Sequence, residues 1–379
     1  MRPSVVVLGV ILLLAACARH VRDPGVNALV TVTVGAPITM EATATAAVLT
    51  TAPAPDTPTA PATLSPAPAL TASVAEAPSA GPSATADPIA GLTIEGLAAR
   101  RYGGGELHVA ETIHVTEAFT RTLVSYASDG LTVYGFMNVP FGAGPFPVAL
   151  VLHGYIPPRQ YGTIGYTTRY ADALARAGYL VVHPNYRNHP PSDETEAFAA
   201  GRSEADFRVG YAVDVLNLLA IIQEQGGLPG SLSQADPGQI HLLGHSMGGG
   251  IALRVITVNA DVDAAVLYGS MSGDEAKNFE RIRIWSNGES GMEELAASPE
   301  DLQRISPIFH LSRINAAVSI HHGDLDDTVP PEWSVELCQL LRENGKEVEC
   351  YNYPDAPHSF HDEVDRLFQQ RVLDFFDRN

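Results

Sequence analysis

Residues 239–250 read QIHLLGHSMGGG, and this stretch decides how the rest of the chain is interpreted. An apolar run, typical of a strand buried on both faces, leads directly to a serine between glycines. The five residues from Gly244 to Gly248 match the pattern G-x-S-x-G. Between a strand and a helix, this pattern indicates a sharp turn that lifts the hydroxyl of Ser246 clear of the sheet. A phosphate-binding loop and a simple tight turn are the alternatives.

The residues that follow the serine favour a nucleophile. We predict a helix from Met247 to about Val258, whose N-terminal N–H groups favour negative charge beside Ser246. The flanking glycines lack the Cβ atoms that would collide in so sharp a turn. No lysine follows at the position that a phosphate-binding loop requires, and no G-x-G-x-x-G pattern lies in this region.

A serine nucleophile requires a base and an acid that orients the base. In a strand–turn–helix arrangement of this kind, the chain order is serine, then Asp or Glu, then His. Two later segments fit that order, IHHGDLDDTVPPEW at 320–333 and NYPDAPHSFHDE at 352–363. Each follows a predicted strand, and open α/β sheets place their sites at the carboxyl ends of strands.

Strands and helices alternate from about residue 110, which predicts an α/β fold with a mostly parallel sheet covered on both faces. Residues 121–140 are predicted as an antiparallel hairpin turning at 128–130. Six further strands are expected within 146–154, 180–187, 239–244, 263–270, 316–323 and 348–353, which makes eight. Helices are expected at 168–179, 204–227, 247–258 and 331–344, with a last one ending near Phe376. The polar stretch at about 271–313 is predicted to be a cap.

Several segments resemble one known family. HGDLDDTVPP at 322–331, YPDAPHSF at 353–360, SPIFHLSRINAAVSIHHG at 306–323 and NYR at 185–187 are similar to signatures of the prolyl oligopeptidase family. The resemblance covers about residues 110–377. It implies an α/β-hydrolase fold and a serine hydrolase that cleaves ester or amide bonds through an acyl-enzyme.

The resemblance also assigns roles to residues in these segments. It implies that Asp326 is the acid and His358 the base for Ser246. Asp324 and Asp327 are alternatives for the acid. His361 is a weaker candidate for the base, because a histidine at the start of a helix is more often a surface or capping residue.

An oxyanion formed during acyl transfer needs two donors fixed in advance. The backbone N–H of Met247 is one candidate. The second is expected from the loop after the strand VALVLHG, where His153-Gly154-Tyr155 resembles the His-Gly turn of the family. We choose the N–H of Tyr155 and expect His153 to be structural.

The substrate stays open between two classes, a peptide and a small ester. We expect no β-propeller before the domain, and HGYIPP at 153–158 is not the usual glycine-rich run of the family. An esterase resembling dienelactone hydrolases, or one that cleaves polyesters, is therefore the alternative to a peptidase. A more remote alternative is an anchored binding protein without turnover. We expect no cofactor and no metal, since the histidines at 241 and 245 are not part of an H-E-x-x-H motif.

The first part of the chain differs in composition from the rest. No Phe, Trp or Tyr precedes Tyr102, and residues 18–90 are rich in Ala, Thr and Pro. Such a segment cannot bury enough apolar surface to fold, so we predict a disordered linker at 18–90 and a catalytic domain at 91–379. The net charge of −20 argues against nucleic acid as a partner.

Residues 1–17 are predicted to be an export signal. Arg2 precedes an apolar run that is too short for a transmembrane helix, and LAAC at 14–17 resembles the lipobox of bacterial lipoproteins. Lipid on Cys17 would anchor the protein to the membrane on the extracytoplasmic face of a bacterial cell. An ordinary cleaved signal is the alternative.

Two cysteines remain after Cys17, and export would place them where disulfides form. Cys338 lies in a predicted helix and Cys350 in the next predicted strand. Because a helix packed on the following strand can bring such residues together, we predict a Cys338–Cys350 disulfide. Two unpaired cysteines are the alternative.

Overall fold

The computed structural model describes residues 87–200, residue 206 and residues 208–379. The predicted signal with Cys17 and the predicted linker up to residue 86 lie outside these residues. Residues 87–90, which we assigned to the linker, form a turn closed by a hydrogen bond from Ala90 N–H to Asp87 O. The carboxylate of Asp87 also pairs with Arg304. Contacts with the domain therefore reach back to Asp87, four residues before the predicted boundary at Gly91.

A single sheet of nine strands runs through the described residues. The strands are β1 His108–Val115, β2 Phe119–Ser128, β3 Leu131–Pro140, β4 Phe146–Leu152, β5 Leu180–Pro184, β6 Ala235–His245, β7 Ala264–Tyr268, β8 Ala317–Gly323 and β9 Val348–Tyr353. Their order is β1-β2-β3-β5-β4-β6-β7-β8-β9. The pairs among β1, β2, β3 and β5 are antiparallel, and the pairs from β5 through β4 to β9 are parallel. The sheet is therefore mostly parallel.

The prediction of eight strands was wrong by one, and the missed strand is β1. All of its residues are exposed, and its pairing with β2 contains two register shifts. An edge strand that buries neither face has no apolar alternation for a sequence pattern to detect.

The hairpin of β2 and β3 turns at Asp129 and Gly130, as predicted. These residues have φ of 52° and 81°, which match the type I′ turn that suits the twist of a two-residue hairpin. The hairpin joins the parallel strands through β3, which pairs antiparallel with β5.

Helices cover both faces of the sheet. They are α1 Ile94–Ala99, α2 Thr168–Arg176, α3 Glu196–Ala199, α4 Val209–Gln225, α5 Met247–Val258, α6 Glu275–Trp285, α7 Met292–Leu295, α8 Pro299–Ile305, α9 Pro331–Glu343 and α10 Asp362–Phe376, with 3₁₀ turns at Pro158–Gln160 and Pro307–Arg313. The predicted start of α4 near residue 204 was wrong, because Arg208 has a left-handed backbone (φ 58°) and the helix begins after it. None of the helices in the described segments has the length and apolar character needed to cross a membrane.

Successive residues of the central strands face two separate apolar clusters. Leu150 of β4 packs in the cluster that includes Leu216 of α4. The next residue, Val151, packs in the cluster that includes Leu174 of α2 and Phe375 of α10. Strands buried on both faces read as continuous apolar runs, which is why the sequence predicted them.

The parallel strands end together at one edge of the sheet. In the register of neighbouring strands, His245 lies beside Tyr268, and Tyr268 lies beside His321. The loops after β6, β8 and β9 therefore leave the same edge, and they carry the three segments that the sequence singled out.

Candidate active site

Ser246 occupies a strained turn between β6 and α5. Its φ of 58° and ψ of −120° lie in a region that residues other than glycine rarely adopt. A Cβ atom at Gly244 would collide with the carbonyl of Gly248, and one at Gly248 would collide with the carbonyl of Leu152. Both flanking positions therefore require glycine, as the sequence pattern indicated.

Asp326 and His358 meet at the same edge. Nδ1 of His358 lies 2.7 Å from Oδ2 of Asp326, whose side chain is fully buried. The other oxygen, Oδ1, accepts hydrogen bonds from the N–H groups of Thr328 at 2.9 Å and Val329 at 2.8 Å. Nε2 of His322 lies 3.0 Å from Oδ2. Burial alone would raise the pKa of Asp326, but the hydrogen bonds from His322 and His358 hold it below its usual range.

The alternative residues do not reach this pair. Oδ1 of Asp324 accepts a hydrogen bond from the N–H of Asp355 at 2.6 Å. Oδ1 of Asp327 accepts from the hydroxyl of Thr328 at 3.1 Å. His361 is exposed at the N-cap position of α10, where its side chain makes no capping hydrogen bond.

Ser246 and His358 line one cavity of about 690 Å³ at the carboxyl edge of the sheet. Gly269, which follows β7, lies against the Asp326–His358 pair. A Cβ atom at Gly269 would lie 3.3 Å from Nδ1 of His358 and 3.5 Å from Oδ2 of Asp326, and its φ of 49° is left-handed. The remaining lining residues are Gly154, Tyr155, Tyr166, Arg208, His245, Met247, Met271, Ile282, Trp285, Ser286, Ser290, Thr328 and Ser359.

Both candidate oxyanion donors border this cavity. Met247 is the first residue of α5, so its N–H has no acceptor within the helix. In the His153–Tyr155 loop, the N–H of Gly154 already donates to the hydroxyl of Tyr166 at 2.8 Å. The N–H of Tyr155 makes no hydrogen bond with any described residue, which leaves it for a ligand.

This geometry agrees with two family models. The model of the prolyl oligopeptidase family matches residues 229–379, which contain all three members of the candidate triad. The model of the alpha/beta hydrolase fold matches residues 150–282. The protein is a serine hydrolase of the α/β-hydrolase fold.

Proteins similar in sequence to this hydrolase include one described as a peptidase and one described as a carboxymethylenebutenolidase. It is 24% identical over 243 residues to an uncharacterized peptidase, YtmA, of Bacillus subtilis, which covers 62% of this chain and 85% of that protein. It is 21% identical over 240 residues to a putative carboxymethylenebutenolidase of Synechocystis, which covers 63% of this chain and 85% of that protein.

Solved structures confirm the fold of the hydrolase. Acylaminoacyl peptidase of Pyrococcus horikoshii aligns with a TM-score of 0.57 and 22% identity over 69% of this chain and 42% of that one. Acetyl xylan esterase 1 of Thermoanaerobacterium aligns with a TM-score of 0.53 and 17% identity over 72% of this chain and 88% of that one.

His153 precedes Gly154, which lines the cavity of the hydrolase. It is buried, its Nδ1 lies 2.7 Å from the carbonyl oxygen of Gly154, and its ring stacks on Tyr186 with centroids 4.4 Å apart. Burial lowers the pKa of His153 to about 4, so the ring is neutral at pH 7. These contacts give His153 a place in the packing of the loop.

The segment predicted as a cap has two parts with different surroundings. Ile282 and Trp285 of α6 line the cavity, so this part covers the site. Leu311, in the 3₁₀ turn Pro307–Arg313, packs in the apolar cluster that contains Val255 of α5. Only the first part of 271–313 therefore lies over the candidate active site.

Cys338 of α9 and Cys350 of β9 form a disulfide with Cα atoms 6.5 Å apart. The same helix carries Ser334, whose hydroxyl lies 2.6 Å from Nδ1 of His322. The disulfide therefore links helix α9 to the sheet, and α9 in turn supports His322, which bonds Asp326.

Sequence reasoning missed three side chains at this site. The sequence analysis assigned no role to His322, although its Nε2 lies 3.0 Å from Oδ2 of Asp326. Tyr166 lines the cavity from an irregular loop, and Arg208 lines it from the residue before α4, inside the stretch that we predicted as a helix from residue 204. No local signal in the sequence identifies residues that reach a site from irregular loops.

Proposed function

We propose that Ser246 is the nucleophile, His358 the base and Asp326 the orienting acid in the hydrolysis of ester or amide bonds. One observation carries the proposal: His358, whose Nδ1 lies 2.7 Å from Oδ2 of Asp326, lines the same cavity as a serine on a strained turn. This arrangement fits the requirements for an activated serine.

The proposed reaction proceeds in two halves. His358 takes the proton of Ser246 as the oxygen attacks the carbonyl carbon, and the N–H groups of Met247 and Tyr155 stabilise the oxyanion. His358 then gives that proton to the leaving alcohol or amine, and an acyl-enzyme remains. Water, deprotonated by His358, attacks the acyl-enzyme, and His358 returns that proton to the departing oxygen of Ser246 as the acid is released. Asp326 stabilises the imidazolium in both halves.

Labelling by a fluorophosphonate probe tests the nucleophile. We expect the full chain to react at Ser246, and we expect Ser246→Ala to abolish labelling. Equal labelling of both proteins would reject Ser246 as the nucleophile. A failure of the wild-type protein to react would favour the remote alternative, a binding protein without turnover.

Peptides are the leading substrate class and small esters the alternative. The match to the prolyl oligopeptidase family supports a peptidase. The similarity to a putative carboxymethylenebutenolidase supports an esterase, and so does the apolar wall that Met271, Ile282 and Trp285 give the cavity. Aryl esters assayed beside Xaa-Pro and aminoacyl amides separate the two classes. Turnover of esters with no reaction of amides would exclude a peptidase.

The location of the protein is a further proposal. The lipobox-like LAAC sequence at 14–17 supports export and a lipid anchor on Cys17, with residues 18–86 as a tether to the domain. We expect the wild-type protein to sediment with membranes and Cys17→Ser to move to the soluble fraction. Identical fractionation of the two would support an ordinary cleaved signal.

A further inference from the structure

A chain of hydrogen bonds runs beside Ser246, and the proposed reaction uses none of the side chains in it as acid or base. The hydroxyl oxygen of Tyr166 lies 2.8 Å from the backbone nitrogen of Gly154 and 2.7 Å from Nδ1 of His245. Nε2 of His245 lies 3.0 Å from the backbone oxygen of His358. Tyr166 and His245 both line the cavity.

The direction of each bond follows from the groups involved. A backbone carbonyl only accepts, so Nε2 of His245 carries the hydrogen that bonds His358 O. Burial lowers the pKa of His245 to about 3, which leaves the ring neutral with a lone pair on Nδ1. Tyr166 therefore donates to Nδ1, and its oxygen accepts from the N–H of Gly154. Each polar group in the chain has a partner of the correct kind.

These hydrogen bonds connect three segments whose relative positions matter for the reaction. Gly154 immediately precedes Tyr155, the candidate oxyanion donor, and His245 immediately precedes Ser246. His358 carries the base, and the bond from His245 fixes its backbone while Asp326 fixes its ring.

The hydroxyl of Tyr166 also leaves no room for a side chain at Gly154. A Cβ atom at Gly154 would lie 2.6 Å from the Tyr166 hydroxyl and 2.9 Å from Cβ of Ser246. The glycine of the His-Gly turn is therefore required for this bond, because any side chain there would displace the tyrosine or the serine.

We propose that Tyr166 is a positioning residue for acyl transfer. Its hydroxyl holds the Gly154 peptide so that the next N–H, that of Tyr155, points at the oxyanion. The inference rests on the proposed roles of Ser246 and the oxyanion donors. Through His245, Tyr166 also ties this peptide to the backbone of His358.

The test compares Tyr166→Phe with the wild-type full chain on an aryl ester and on its thionoester, in which sulfur replaces the carbonyl oxygen. Sulfur accepts hydrogen bonds more weakly than oxygen, so well-placed donors favour the oxygen ester. We expect the variant to lower kcat for the oxygen ester by about 10-fold to 100-fold, below the loss for removal of a complete oxyanion donor, with KM little changed. We expect the preference for oxygen over sulfur to shrink as well.

Tyr161→Phe is the matched control. It removes one hydroxyl from the same segment, and that hydroxyl donates to Oδ1 of Asn185 at 3.0 Å instead of contacting Gly154. We expect Tyr161→Phe to keep the wild-type kcat and the wild-type preference for the oxygen ester. The proposal is overturned if Tyr166→Phe keeps the wild-type preference, or if Tyr161→Phe reduces it equally.

Variants of His245 provide a second test that keeps Tyr166 in place. His245→Asn puts an amide oxygen near the position of Nδ1 and preserves an acceptor for Tyr166. His245→Gln puts an amide N–H near Nε2 and removes that acceptor. We expect Gln to shrink the oxygen preference and Asn to retain it, and the reverse order would contradict the proposed direction of the bonds.

Labelling separates failure of this inference from failure of the proposed function. Wild-type protein that does not react with a fluorophosphonate at Ser246 overturns the proposed function. Labelling of the wild type together with an unchanged oxygen preference in Tyr166→Phe overturns only the positioning role.

Discussion

At the scale of single residues, Asp326 is the most constrained group of the candidate site. Its buried carboxylate accepts from two backbone N–H groups and faces two histidines, so each oxygen has two partners. A buried charge is stable only when it is paired in this way. The same contacts fix the direction of Oδ2 toward His358.

Asp326→Asn should preserve the fold and reduce kcat by roughly 10⁴-fold, as in other serine triads. The amide would present N–H groups where Nδ1–H of His358 needs an acceptor, and the ring would favour the wrong tautomer. Ester turnover, compared with the unfolding midpoint in urea, measures the two effects separately. Asp327→Asn is the control, because its side chain bonds only Thr328 among the described residues. A wild-type rate in Asp326→Asn would move the acid to Asp324 or Asp327.

At the scale of elements, the disulfide between α9 and β9 closes a loop with a sequence separation of 12. A cross-link of that length restricts the unfolded chain by about 3 kcal/mol. Cys338→Ala combined with Cys350→Ala should therefore lower the free energy of unfolding in urea by about that amount. Reduction of the wild-type protein should produce the same shift. An unchanged midpoint in both experiments would show that the bond does not form in the protein as prepared.

The sequence predicted the elements that bury apolar residues and missed those that do not. Helix α5 has the predicted bounds, Met247 to Val258, because the strained turn starts it and Asn259 ends its apolar pattern. The fully exposed β1 gave no pattern at all. At the candidate site, motifs and the family resemblance predicted Ser246, Asp326 and His358, whereas no motif places Tyr166 near Gly154. That contact depends on how the loop before α2 folds back over β4, which is a tertiary effect.

At the scale of the whole molecule, buried neutral histidines make stability depend on pH. Burial lowers the pKa of His153 to about 4 and the pKa values of His245 and His321 to about 3. In the unfolded chain each imidazole binds a proton near pH 6.5, so between these values the unfolded state holds more protons. The free energy of unfolding therefore decreases as pH falls below about 6.5.

Urea unfolding at pH 7 and pH 5 measures this effect. Each of the three histidines should contribute a loss of about 2 kcal/mol at pH 5 relative to pH 7. The lowered pKa of Asp326 affects stability in a different pH range, because its stabilisation is present above about pH 4 and is lost only at lower pH. His321→Gln removes one titrating ring and should reduce the slope. Equal midpoints at pH 7 and pH 5 would contradict the prediction.

The order of the strands has a consequence for how the active protein is assembled. Ser246 follows β6, in the interior of the sheet, whereas His358 follows β9, at its edge. Strand β9 pairs with β8 at the edge of the sheet, so it can join the sheet only after β8 has formed. A chain that has folded through β7 would hold the serine turn without its base. During refolding, reactivity toward a fluorophosphonate should therefore appear only after the last strand, β9, has paired.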